Sequence, residues 1–138
     1  MSEEVLDDGI EAVGVWAVKI DKNEATYPFE NTTKEDLAQK VQTFLGKEKY
    51  ILKVGNNQNG EYHRGSKVLR FLLGAFHKHF VWKVTIFDEG DLVILRIRKN
   101  EKGYMGGVIG VSQVGTEWQR LTRILKEYHQ RQHTPKNE

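Results

Sequence analysis

The sequence predicts an α+β domain, a mostly antiparallel sheet with two or three helices packed on it, in the order β-α-β-loop-α-β-β-β-α. Three observations predict it. "VWKVTIFDEGDLVILRIRKN" (81–100) alternates apolar and polar residues on both sides of an acidic turn, as the two strands of a hairpin do. Two stretches, one near residue 35 and one near 120, space their apolar residues at helical intervals behind capping signals. The chain is 138 residues long and 38% hydrophobic, enough for one core without staples, and it has no cysteine to supply any.

The elements follow in order. Residues 1–12 read as an acidic flexible leader, 13–130 as one domain and 131–138 as a frayed polar tail. "VGVWAVKI" (13–20) is β-branched and aromatic, hence a strand. "KNEATYPFENTT" (22–33) reads as a loop, punctuated by Pro28 and Asn31. Thr32 and Glu35 form a capping box, Leu37, Val41, Phe44 and Leu45 trace a helical face, and Gly46 ends the helix as its C′ residue. "KYILKV" (49–54) is the next strand, and "GNNQNGEYHRGS" (55–66) a long polar loop or hairpin tip with its turn at Asn59-Gly60.

"SKVLRFLLGAFHKHF" (66–80) segregates Val68, Leu69, Leu72, Leu73 and Phe76 from Lys67, Arg70, Gly74 and Lys78, which favours a helix. In the hairpin at 81–100, Trp82, Val84 and Ile86 share a face with Val93, Leu95 and Ile97. Lys83, Thr85, Phe87, Ile94, Arg96 and Arg98 fall on the other face. "GVIGVSQV" (107–114) reads as a further strand weakened by glycine. Thr116 with Gln119 then caps a last helix whose face is Trp118, Leu121, Ile124, Leu125 and Tyr128.

Several function classes drop out. Without cysteine there is no thiolate metal site and no cysteine nucleophile. No apolar run is long enough to span a membrane and no secretory leader opens the chain, so a soluble, intracellular protein (cytoplasmic or nuclear) is expected. Asp88, Glu89 and Asp91 cluster where a turn needs acidic residues, and Ser66 and Ser112 have no identifiable base. The chain therefore reads as non-enzymatic and without a cofactor. His77, His79, His63 and His129 or His133 are imidazoles without constrained spacing, so no metal is expected.

Charge is more informative. The chain carries +2 overall, but residues 1–11 hold five carboxylates and no base, while residues 60–131 hold 13 Lys/Arg against 7 Asp/Glu. An anionic partner suits that asymmetry. On the second face of the hairpin, Lys83, Arg96 and Arg98 surround Phe87 and Ile94. Cations interleaved with a flat apolar ring suit single-stranded nucleic acid, whose bases stack while its phosphates pair with the cations. Lys99, Lys102 and Tyr104 in "RKNEKGYMGG" extend that candidate surface, and Lys67 and Arg70 form a second basic stripe. The alternative is a protein-interaction module, an adaptor or a homodimer formed through the amphipathic C-terminal helix.

Two family resemblances bear on this choice. "GDLVILRIRKNEKGYMGGVIGV" (90–111) resembles a KOW motif, a small RNA-contacting β-barrel module, in its Gly-Asp start, alternating apolar residues, Lys-Gly and closing valines. Residues 81–125 resemble the positive cofactor four family of transcriptional coactivators and their Whirly relatives, through basic and aromatic strands followed by Gly110, Val111, Ser112, Trp118 and Leu121. That resemblance implies single-stranded DNA binding on strands carrying Lys83, Phe87, Arg96, Arg98, Lys99 and Lys102, and dimerisation through the helix. The family pattern leaves the whole first half of this chain unaccounted for, and the gap before Trp118 is longer than usual.

Overall fold

A computed structural model describes residues 17–65, 79–100 and 107–133. The described elements are β1 (Lys19–Ile20), β2 (Glu24–Phe29), α1 (Lys34–Lys47), β3 (Ile51–Asn56), β4 (Asn59–Gly65), β5 (His79–Glu89), β6 (Leu92–Lys99) and α2 (Gly107–His133). The strands form one antiparallel sheet in the order β1-β2-β6-β5-β4-β3. The fold is α+β, with both helices against one face of the sheet.

Period two explains the central hairpin as expected. Val84 pairs with Ile97 and Ile86 with Leu95, so these side chains share the helix-facing side and are buried. The turn falls at Gly90-Asp91, where Gly90 takes a φ of 62°. Trp82 anchors the core: it stacks on Phe80, with ring centroids 6.0 Å apart, and meets Trp118 at 5.5 Å and Tyr50 at 6.2 Å. Truncating so large a buried ring costs about 3–5 kcal/mol in comparable cores.

Residues 24–29 are a strand, not a loop. Ala25, Tyr27 and Phe29 alternate into the core, and Pro28 sits opposite Ile94. Proline is tolerated because β1 pairs only with Ala25 and Thr26, leaving Pro28 at a free edge where no amide is needed. The helix cap is Thr33, one residue later than expected, and its hydroxyl accepts from the Asp36 amide at 3.1 Å. The stop also moves. Tyr50 N–H donates to Leu45 C=O and Lys49 N–H to Gly46 C=O, a Schellman motif whose left-handed residue is Lys49 (φ 73°).

Residues 55–65, expected as a polar loop or a hairpin tip turning at Asn59-Gly60, form the tip and second strand of the β3–β4 hairpin, with the turn two residues earlier at Asn57-Gln58. Asn56 Oδ1 accepts the amides of Gln58 and Asn59 at 2.9 and 3.0 Å, which fixes that turn. Gly60 serves backbone approach: a Cβ there would sit 2.5 Å from the carbonyl oxygens of Val54 and Asn56. Two residues further along β4, Tyr62 points into the core, where burial pushes its hydroxyl up to about 12.

Residues 107–114 are helical, not a strand. They open α2, so the Thr116/Gln119 pair lies inside the helix and caps nothing. The helix also runs through residues 131–133, which the sequence reading gave to a frayed tail. Val114, Trp118, Leu121 and Leu125 bury one face of α2 against the sheet. The face expected to dimerise is thus occupied within the protomer. Tyr27 Oη donates to Thr122 C=O at 3.0 Å, and His129 Nε2 lies 2.6 Å from Pro28 O, tying α2 to β2. The leader (1–12) and residues 66–78 of the helix expected over 66–80 lie outside the described residues, and His79 and Phe80, expected at its end, open β5 instead. Among the described residues no helix is long and apolar enough to cross a membrane.

Candidate functional site

The side of the sheet away from the helices carries the candidate surface. Strand register sets its pattern. Arg98 lies between Glu24 of β2 and Lys83 of β5, and Glu61 of β4 follows Lys83. One step along, Arg96 lies between Thr26 and Thr85. A further step gives the apolar row Pro28, Ile94 and Phe87, of which Pro28 and Ile94 are buried and Phe87 half-buried. A charged band therefore borders an apolar one, and this arrangement follows from the period-two side-chain alternation of three neighbouring strands.

Side-chain geometry refines the band. The Arg96 guanidinium lies over the Phe87 ring, 4.9 Å from its centroid. Glu24 spans both arginines: its Oε1 is 3.2 Å from Arg98 Nε and its Oε2 is 3.4 Å from Arg96 Nε. Both distances exceed the 2.7–2.9 Å of strong charge-assisted hydrogen bonds, so the carboxylate is loosely held. Lys83 is exposed and forms no ion pair with a described residue. Glu61 is engaged elsewhere, accepting from Asn100 Nδ2 at 2.9 Å and meeting His63 Nε2 at 3.4 Å.

Lys83, Phe87, Arg96 and Arg98 thus come together as the alternation predicts. Lys99 does not join them. It pairs with Trp82 across β5–β6 and points to the helix side, where its ammonium is 5.6 Å from the Trp118 ring centroid. Lys102, Tyr104, Lys67 and Arg70 lie outside the described residues. His63 and His129 are on opposite sides of the sheet. Among the described residues no group of three metal-ligating side chains converges.

The residue that sequence reasoning missed is Glu24. Its placement beside the arginines requires β2, and β2 was hidden by reading Pro28 and Asn31 as breakers. The alternation of Ala25, Tyr27 and Phe29 was the available signal.

A second ionic cluster lies on the helix side. Arg120 grips Glu117 with Nε to Oε1 at 2.9 Å and Nη2 to Oε2 at 2.8 Å. Tyr50 Oη donates to Glu117 Oε2 at 2.6 Å and Arg64 Nη1 at 3.1 Å, while Arg120 Nη1 reaches Glu48 at 2.8 Å. Burial opposes ionisation of Glu117. The Arg120 and Tyr50 hydrogen bonds, with the charges of Arg120 and Arg64, outweigh it and hold the carboxyl below its ordinary value. Burial, then Glu117 itself, pushes the Tyr50 hydroxyl far up. Every charge in this cluster is matched, so it joins the α1 end, β4 and α2 rather than presenting reactive groups.

Compared with protein-family models, curated proteins and solved structures, the chain matches none. The functional reading therefore rests on the surface itself.

Proposed function

We propose that this chain is a non-enzymatic nucleic-acid-binding protein that takes a single strand of DNA or RNA across the outer face of its sheet. The observation that carries the reading is that Lys83, Arg96 and Arg98 share one face of two neighbouring strands, β5 and β6, with the Arg96 guanidinium over Phe87. Phosphates pair with the cations, and a base stacks on the Arg96 plane or on the Phe87 ring beneath it. The resemblance of residues 81–125 to the positive cofactor four and Whirly families supports the same class of ligand. The test is fluorescence anisotropy of labelled single strands across a salt series. The logarithm of the affinity should fall linearly with the logarithm of salt concentration. Absence of binding at low salt would sink the reading.

A second reading, a protein-interaction module, is favoured by one observation. Edge strand β3 exposes Ile51 (60%) and Val54 (53%) beside a backbone edge that no described strand pairs. Sedimentation of the wild type against Val54→Lys tests it: a wild-type assembly that the lysine dissolves would support this reading.

A further inference from the structure

On the helix side, a cleft of about 400 Å³ opens between the β1–β2 turn and α2. That is within the range of small-molecule sites. Lys22 and Lys99 both line it, and neither forms an ion pair with a described residue. Among the described residues the one carboxylate at the cleft is Asp21, which accepts from the amides of Asn23 and Glu24 at 2.8 Å each and so is turned into its own turn. Trp118 lies beneath the Lys99 ammonium, and its indole N–H is fixed on Asp21 C=O at 2.9 Å. Burial first, and then the charge of Lys22, holds Lys99 below the ordinary lysine value, against the pull of Asp21. Two ammoniums are thus brought together, and among the described residues Asp21 is the one carboxylate beside them, its charge acting on Lys99 without an ion pair.

A second, independent feature concerns Gly115. It lies in the interior of α2 and lines the same cleft. Glycine there weakens the helix relative to alanine. Yet an added Cβ would meet nothing within 4 Å, so packing gives no reason for it. What the missing side chain does is keep the cleft open. Ile20, 41% exposed, supplies an apolar wall.

We propose that this cleft binds a small organic phosphomonoester, its phosphate between Lys22 and Lys99 and its apolar body against Ile20 in the space left by Gly115. A phosphomonoester carries close to two negative charges at neutral pH, which matches two ammoniums where a carboxylate would match one. The site is on the opposite side of the sheet from the proposed nucleic-acid surface and does not depend on it.

The experiment is calorimetric titration of the intact chain with phenyl phosphate, beside inorganic phosphate and phenol. Saturable binding of phenyl phosphate is expected, weaker for inorganic phosphate and absent for phenol. Lys22→Ala and Lys99→Met should each weaken it on the order of tenfold or more, as loss of one partner of a charged contact does. Gly115→Leu should keep or raise the melting temperature, because leucine is the better helix former, while abolishing binding. Lys22 lies in an exposed turn, so its variant keeps the test valid if Lys99→Met fails to fold. Failure of phenyl phosphate to saturate at millimolar concentration would overturn the proposal. So would unchanged binding in folded Lys22→Ala and Gly115→Leu.

Discussion

Two places in this molecule set one glutamate between two arginines, and they do opposite things. Arg120 and Arg64 on the helix side are 34% and 37% exposed, and Arg96 on the outer face is 38% exposed. Three of the four arginines differ little, and the fourth, Arg98, is 59% exposed. The carboxylates differ: the Glu117 side chain is 9% exposed and gripped bidentately, while that of Glu24 is 35% exposed and held by two long contacts. A desolvated carboxylate cannot be released without leaving buried charge unmatched, so Glu117 is a structural joint. A solvated one gives up little when it leaves, so Glu24 is held far less firmly beside its arginines.

The largest expected effect falls on the buried member. Glu117→Gln should lower unfolding free energy by about 3 kcal/mol, the low end for a broken buried pair, because its arginines keep access to water. Urea titration reads it directly, and a change below ~1 kcal/mol, the size of an exposed pair, would erase the contrast. The pH dependence sharpens it. Since the folded-state carboxyl lies below its ordinary value, its contribution is complete above the unfolded value and is lost as pH falls through the folded one. Wild type and Glu117→Gln should therefore converge in stability in acid.

Next comes Phe87→Ala, expected to cost about 1–3 kcal/mol of single-strand affinity with an unchanged salt slope. A thermal melt must accompany it, because Phe87 is half-buried. Arg96→Ala and Arg98→Ala should each weaken binding on every sequence and reduce the salt slope by about one unit. If both stay folded and bind like wild type, the outer face is a solvated surface and the nucleic-acid reading loses its site.

Glu24→Gln should have the smallest effect on stability, under about 1 kcal/mol. It should tighten oligonucleotide binding, most at low salt, because the arginines no longer hold an internal anion. Unchanged affinity would mean that Glu24 does not compete for them. A stability loss as large as that of Glu117→Gln would make the two clusters alike.

The sequence was most legible where one local period governed everything. Both faces of the β5–β6 hairpin follow from alternation, and with them the grouping of Lys83, Phe87, Arg96 and Arg98. The buried face of α2 from Trp118 to Leu125 follows equally from helical spacing. Legibility failed where a residue's local preference was overruled from a distance. Pro28 reads as a breaker until the shortness of β1 frees its edge. Lys49 adopts a left-handed backbone that lysine avoids, because Tyr50 packs into the core and its amide closes the helix end.

By itself, then, the sequence determined the class of fold and the composition of each face, because side-chain direction repeats every two residues in a strand and every 3.6 in a helix. Only the tertiary structure decided which charges meet. Glu24 reaches Arg96 and Arg98 across 72 and 74 positions of chain, and Glu117 meets Tyr50 across 67 and Arg64 across 53. Alternation alone turns Lys99 away from Arg98, but only helix placement and the β1–β2 turn set it beside Trp118 and Lys22. The physical reason is range: periodicity acts over a few residues, whereas the pairing and desolvation of charges depend on strand order and helix placement, which no local pattern encodes.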